Sequence, residues 1–150
     1  MVLFVVLIVL FVLLSVLGRV GLPVSYGWWA SLRLALTGMF LLTGSAHWGK
    51  RRPDLIRMVP PRFPRPDLLV TVTGILEIMG AIGLLLPTTA RYAALGLSLM
   101  LLAVFPANVH AAREHVTIAG REVEPLIPRA LIQIAFLTAT LAVVFLGGKD

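Results

Sequence analysis

Residues 68–86 read LLVTVTGILEIMGAIGLLL, a run of nineteen positions in which only Glu77 ionises. At about 1.5 Å of helical rise per residue the run spans roughly 28 Å, close to the hydrocarbon thickness of a bilayer. A carboxylate near the middle of such a run is costly unless it is protonated, paired or wetted. Glu77 therefore identifies both a membrane span and the residue in it that needs an explanation.

The rest of the chain extends this pattern. Of 150 residues 59% are hydrophobic and 13% charged, with a mean hydropathy of +0.97, whereas a soluble domain carries about 25% charged residues. Five apolar segments stand out, Val2–Leu17, Trp28–His47, Leu68–Leu86, Tyr92–Ala111 and Leu126–Leu146. Their short connections predict an all-α integral membrane helical bundle forming a single membrane domain over 1–150. The first segment lacks a basic flank and an A-x-A-like cleavage site, and is read as a retained, lipid-facing helix.

Orientation follows from the basic residues. Lys50, Arg51, Arg52, Arg57, Arg62, Arg65, Arg113, Arg121 and Arg129 fall on one side, and Arg19, Arg33, Arg91 and Lys149 on the other. The excess places the larger loops in the cytoplasm, with the N-terminus inside and the C-terminus outside, as expected for a bacterial cytoplasmic membrane. Trp28 and Trp29 then anchor the outer interface and Trp48 the inner one. The net charge of +6 sits beside a membrane, so anionic headgroups explain it and nucleic acid is not an expected partner. The proline-rich stretch RRPDLIRMVPPRFPRPD, residues 51–67, reads as extended, with a short interfacial turn at Leu55–Val59.

The absence of cysteine excludes a thiol relay, a disulfide and a cysteine-held iron–sulfur cluster within this chain. No phosphate-loop, dinucleotide, zinc-protease or nucleophile-elbow motif occurs, no metal-ligand set is read, and no catalytic residue is assigned. Any hard chemistry belongs to a partner or a bound small molecule.

Polar residues at membrane depth carry the remaining information. Glu77 lies roughly 13 Å and Gln133 roughly 10 Å from the same end of their helices, with Arg129 one turn below Gln133 on the same face. A Glu77–Arg129 ion pair with Gln133 as amide partner is expected. Asn108 and His110 follow Pro106, which removes a helical donor and can expose a carbonyl. His47 and Thr73 complete a candidate ligand-binding cluster of Glu77, Arg129, Gln133, Asn108, His47 and Thr73, with Arg33 and His110 as secondary candidates. Each has a structural alternative: Arg33 snorkelling outward, the histidines as helix-end hydrogen bonders, and the acid, arginine and amide as a packing clasp.

The succession of Arg33, GMFLLTGSAHW (38–48), MVPPRFPRP (58–66), GILEIMGAIGLLLP (74–87), FPANVH (105–110) and RALIQ (129–133) resembles the DoxX and DoxX-like family of small membrane proteins. The resemblance covers 33–145 and falls on Arg33, Gly44, His47, Pro60, Gly74, Glu77, Gly83, Pro87, Pro106, Asn108, Arg129 and Gln133. It implies a DoxX-like four-helix core, to which the first segment adds an N-terminal transmembrane helix. The family takes its name from a subunit of an archaeal thiosulfate:quinone oxidoreductase. Other members accompany redox or detoxification complexes, and eukaryotic relatives include a receptor-assembly chaperone. The roles share a fold rather than a chemistry.

Three readings of function follow. The first is an accessory subunit that binds a quinone-like or other amphipathic small molecule through the polar cluster, with haem on His47 and His110 as a lesser variant. In the second, the chain is a scaffolding or assembly protein with a membrane partner or a second copy of itself, and the cluster is a clasp. Proton or solute passage is the third; the lone deep carboxylate argues against it, because no second acid continues a relay.

Overall fold

The computed structural model describes residues 2–21 and 27–147. Its helices are α1 (Val2–Arg19), α2 (Trp28–Ser45), α3 (Arg52–Met58), α4 (Pro66–Leu85), α5 (Pro87–Arg113) and α6 (Leu126–Leu146), with a hairpin of β1 (Thr117–Ile118) and β2 (Arg121–Glu122) before α6. Lys149, used in the charge balance, lies outside the described residues.

Prolines set three of the helix starts. Pro53, Pro66 and Pro87 occupy the first positions of α3, α4 and α5, where the fixed φ suits the helix and the missing N–H costs nothing. This is why α5 begins at Pro87, five residues ahead of the expected Tyr92, and why the expected turn at Leu55–Val59 is instead the end of a two-turn helix, α3, which stops at Met58 with Val59 extended. The α4–α5 connection shrinks to Leu86, whose extended backbone, φ −91° and ψ 120°, turns the chain sharply.

Helices α1, α4, α5 and α6 are each long and apolar enough to cross a membrane. The chain is an integral membrane protein, an all-α helical bundle. The second expected span, α2, is not among these four. Arg33, Thr37 and Thr43 lower its apolarity, and it occupies the interior: eight of its 18 residues are buried, against two for α1. With it α4, α5 and α6 close a four-helix ring in which α4 packs on α2 and α5, and α6 packs on α5 and α2. Leu36, Met39 and Phe40 of α2 meet Ala81, Leu97 and Val143 in the core. Outside the ring α1 docks on α2, where Gly38 leaves room for Leu10.

The hairpin was not expected from the sequence. Its turn residues Ala119 and Gly120 have φ of 53° and 75°, the left-handed pair that a two-residue hairpin requires. An alanine there is strained, and its amide is held by an outside partner: Ala119 N–H donates to Asp54 Oδ2 at 2.9 Å. Asp54 also pairs with Arg57. The Ala119 amide, followed by Arg57, holds the Asp54 carboxyl below the usual aspartate range. Because the folded value is depressed, this stabilisation is complete above the ordinary aspartate range and fades as pH falls through the lowered value. Asp54→Ala is expected to speed amide exchange at Ala119 at neutral pH, and wild type to lose the same protection, measured relative to the intrinsic exchange rate at each pH, only in acid. An unchanged rate in the variant rules out this docking contact.

Candidate functional site

Glu77 lies on the face of α4 that meets α2. Gly44 permits the approach, since a Cβ there would come 2.8 Å from Ile78 Cδ1 and 3.3 Å from Glu77 Cβ. The Thr43 side chain is the polar neighbour of the carboxyl group, its hydroxyl donating to Phe40 O at 3.2 Å. The carboxyl oxygen Oε2 is buried and unpartnered among the described residues, an arrangement rare enough in proteins to require a cause.

His47 stands next to this point, just past the end of α2. Its Nδ1 lies 3.1 Å from the Thr43 carbonyl; a carbonyl only accepts, so Nδ1 carries the proton and Nε2 is left as the acceptor. The ring tilts 54° against Trp48. A staple fixes the geometry: Arg52 donates from Nη1 to the His47 carbonyl at 3.0 Å and from Nη2 to Asp67 O at 3.1 Å and Thr71 Oγ1 at 2.9 Å. The end of α2 and the first turn of α4 are thereby tied together. Thr73 does not join the cluster, because its hydroxyl donates back to Leu69 O and Val70 O of its own helix.

Arg129, Asn108 and Gln133 come together at a separate place, between α5 and α6. Arg129 Nη2 donates to Asn108 Oδ1 at 2.6 Å, Asn108 Nδ2 to Gln133 Oε1 at 2.6 Å, and Gln133 Nε2 to the Leu101 carbonyl. The direction of this chain is dictated by its ends, since a guanidinium only donates and a carbonyl only accepts. Leu101 precedes Leu102, whose usual amide partner is missing at Pro106, so the polar chain ends beside the weakened turn.

The expected Glu77–Arg129 ion pair is not formed. Equal depth put the two residues level, but α4 and α6 sit diagonally across the ring, with α2 and α5 between them. Asn108 on the adjoining α5 captures Arg129, and Glu124, just before α6, supplies the carboxylate field on it. Gln133 is likewise a partner of Asn108 and not of Glu77. His110 is half-buried on α5, diagonal to α2, and nothing places it with His47. Among the described residues no three His, Cys, Asp or Glu side chains converge as a metal site.

Arg33 does not snorkel. It is 6% exposed, donates from Nη1 to the Leu85 carbonyl at 2.9 Å, and lies 4.9 Å from the centre of the Trp29 ring. Leu85 is the last residue of α4, so the cation meets an orphan carbonyl at the negative end of a helix dipole. One buried polar contact escaped sequence reasoning altogether: Ser98 Oγ on α5 donates to Thr140 Oγ1 on α6 at 2.8 Å. Hydroxyls that usually bond back to their own helix leave no pattern from which that pairing can be read.

Two apolar grooves accompany these clusters. One of about 390 Å³ runs between α1 and α6 past Leu32, and one of about 230 Å³ lies between α4 and α5 around Gly80 and Gly96. Neither is lined by Glu77, Arg129, Asn108 or Gln133.

The family model described as Domain of unknown function (DUF8561) matches residues 36–145, most of the chain. The chain belongs to the DUF8561 family. The DUF8561 match starts within α2 and ends within α6, so it contains Glu77, His47 and the whole Arg129–Asn108–Gln133 chain, while α1, Trp29 and Arg33 precede it. Comparison of this DUF8561 chain with curated proteins and with solved structures found no match to either.

Proposed function

We propose that this DUF8561 chain is a non-catalytic accessory or assembly subunit of a bacterial cytoplasmic membrane, its N-terminus and basic loops in the cytoplasm, docking a partner protein or a second copy of itself. The observation that carries this reading is the Arg129–Asn108–Gln133 chain: polar groups at membrane depth that bond one another lock α5 to α6, and of the chain's donors Arg129 Nε is the one left over among the described residues. The resemblance to DoxX, a family named for one subunit of a membrane complex, supports the same role. Native mass spectrometry of the gently solubilised chain is expected to show a stoichiometric partner or dimer that survives Glu77→Gln and is lost in Asn108→Leu. A monomer under every mild detergent would sink the proposal.

A second reading rests on the buried, unpartnered Oε2 of Glu77 beside Thr43 and the open Nε2 of His47. A quinone-like or other amphipathic head bearing a hydroxyl supplies the missing donor. A short-chain quinol analogue is expected to raise the thermal unfolding temperature of wild type and not of Glu77→Gln. Equal shifts in the two proteins would discard this reading while leaving the first intact.

A further inference from the structure

We infer that the end of the bundle opposite the basic loops holds a binding site for an amphiphile with an oxyanion head, such as a carboxylate or phosphate, gripped by Arg33 and Trp29 with its chain in the α1–α6 groove. Arg33 is 6% exposed and, among the described residues, forms no ion pair. The Leu85 carbonyl satisfies Nη1, while Nε is buried with no partner among the described residues. A buried cation with an idle donor is strongly destabilising unless something compensates it. One helix dipole offers only about half a charge.

Trp29 presents a second idle donor beside the first. Its Nε1 is also buried without a partner among the described residues, and the Arg33 guanidinium stacks on its ring. The indole reaches α6, since a Cβ on Gly147 would come 2.0 Å from Nε1. Two buried N–H donors on stacked groups, one of them cationic, call for an acceptor with several oxygens and negative charge, which carboxylate and phosphate heads provide.

The place for the chain adjoins this pair. Leu32 and Arg33 follow Trp29 by three and four residues, so both stand over the same stretch of α2. Leu32 lines the groove of about 390 Å³, together with Phe4, Phe11, Ala135, Thr138 and Ala142. By helical rise Leu32 and Ala142 each lie roughly 6 Å from the ends of α2 and α6 that Trp29 and Gly147 join. The groove therefore begins level with the two donors and runs toward the bilayer centre with apolar walls. The small side chains on α6 leave width for an alkyl chain, and the charge at the mouth distinguishes this groove from the one between α4 and α5.

The test uses the full chain in a neutral maltoside detergent with Trp28→Phe and Trp48→Phe, which leaves Trp29 as the only tryptophan. Dodecyl phosphate is expected to change Trp29 emission saturably, whereas dodecanol and inorganic phosphate at the same concentrations are not. Arg33→Gln should weaken dodecyl phosphate binding at least about tenfold, the factor for one charge-assisted hydrogen bond. Should that variant fail to fold, Trp29→Phe, followed by native mass spectrometry, removes a single neutral donor and should weaken binding about threefold. An unsaturable response, an equal response to dodecanol or to inorganic phosphate, or unchanged affinity in a folded variant overturns the inference.

Discussion

Asn108→Leu is expected to lower unfolding stability by about 2–4 kcal/mol in mixed micelles, the largest loss among single changes in the α5–α6 interface. The substitution is close to isosteric, so packing barely changes. What disappears is the middle of a three-residue chain: the acceptor for Arg129 Nη2 and the donor to Gln133 Oε1. Interhelical hydrogen bonds in membranes average only about 0.6 kcal/mol each, so two lost bonds alone give little more than one. The remainder comes from the guanidinium, whose Nε already lacks a partner among the described residues and whose Nη2 then loses its acceptor as well. Gln133→Leu keeps the Arg129–Asn108 bond and should cost less, about 1–2 kcal/mol. The double variant should cost less than the sum of the singles, because the three residues act as one unit. A loss below about 0.5 kcal/mol for Asn108→Leu, within the scatter of ordinary surface changes, would show that the chain of hydrogen bonds is not a clasp.

The same cluster shows where sequence reasoning stops. The five long helices and the depth of Glu77, Asn108 and Gln133 follow from apolar run length and 1.5 Å rise, whereas the starts of α3, α4 and α5 at prolines fall outside the apolar runs. Depth, however, is one coordinate of three. Glu77 and Arg129 share a half of the membrane and still miss each other, because the ring order α2, α4, α5, α6 sets them on diagonal helices. No residue in a nearly uniform apolar helix announces which way it faces: α4 has no polar stripe to betray its rotation. The fate of Arg33 was undecided for a related reason. An arginine near a helix end can reach water or turn inward, and the Leu85 carbonyl that turns it inward belongs to a helix 52 residues away. The hairpin was illegible because its turn is Ala119–Gly120, without the Asn-Gly or Asp-Gly pair that signals such turns, and because its stabilising acceptor, Asp54, comes from α3.

Gly74→Leu is expected to cost about 3 kcal/mol of stability, the upper range for overpacking a tight contact, and to separate the two readings of the Glu77 region. A Cβ at position 74 would lie 2.6 Å from His47 Cβ and 3.0 Å from Trp48 Cη2. His47 Cβ is anchored to the backbone, and that backbone is held by Arg52 on its carbonyl, so no rotamer change relieves the clash and α2 must move off α4. Gly74→Ala meets the same obstacle with one methyl, offset by about 1 kcal/mol of improved helix propensity. Gly96→Ala provides the control, since nothing lies within 4 Å of its added Cβ, and should be neutral or stabilising by up to about 1 kcal/mol. Separating α2 from α4 shifts Thr43 and His47 away from Glu77 but leaves the α5–α6 clasp alone. If the Glu77 region takes a quinol-like head, Gly74→Ala, folded at low temperature, loses stabilisation by the analogue while keeping its partner or dimer. If the region is only a packing contact, the analogue has no effect on wild type, and Gly74→Ala differs from wild type in unfolding temperature alone.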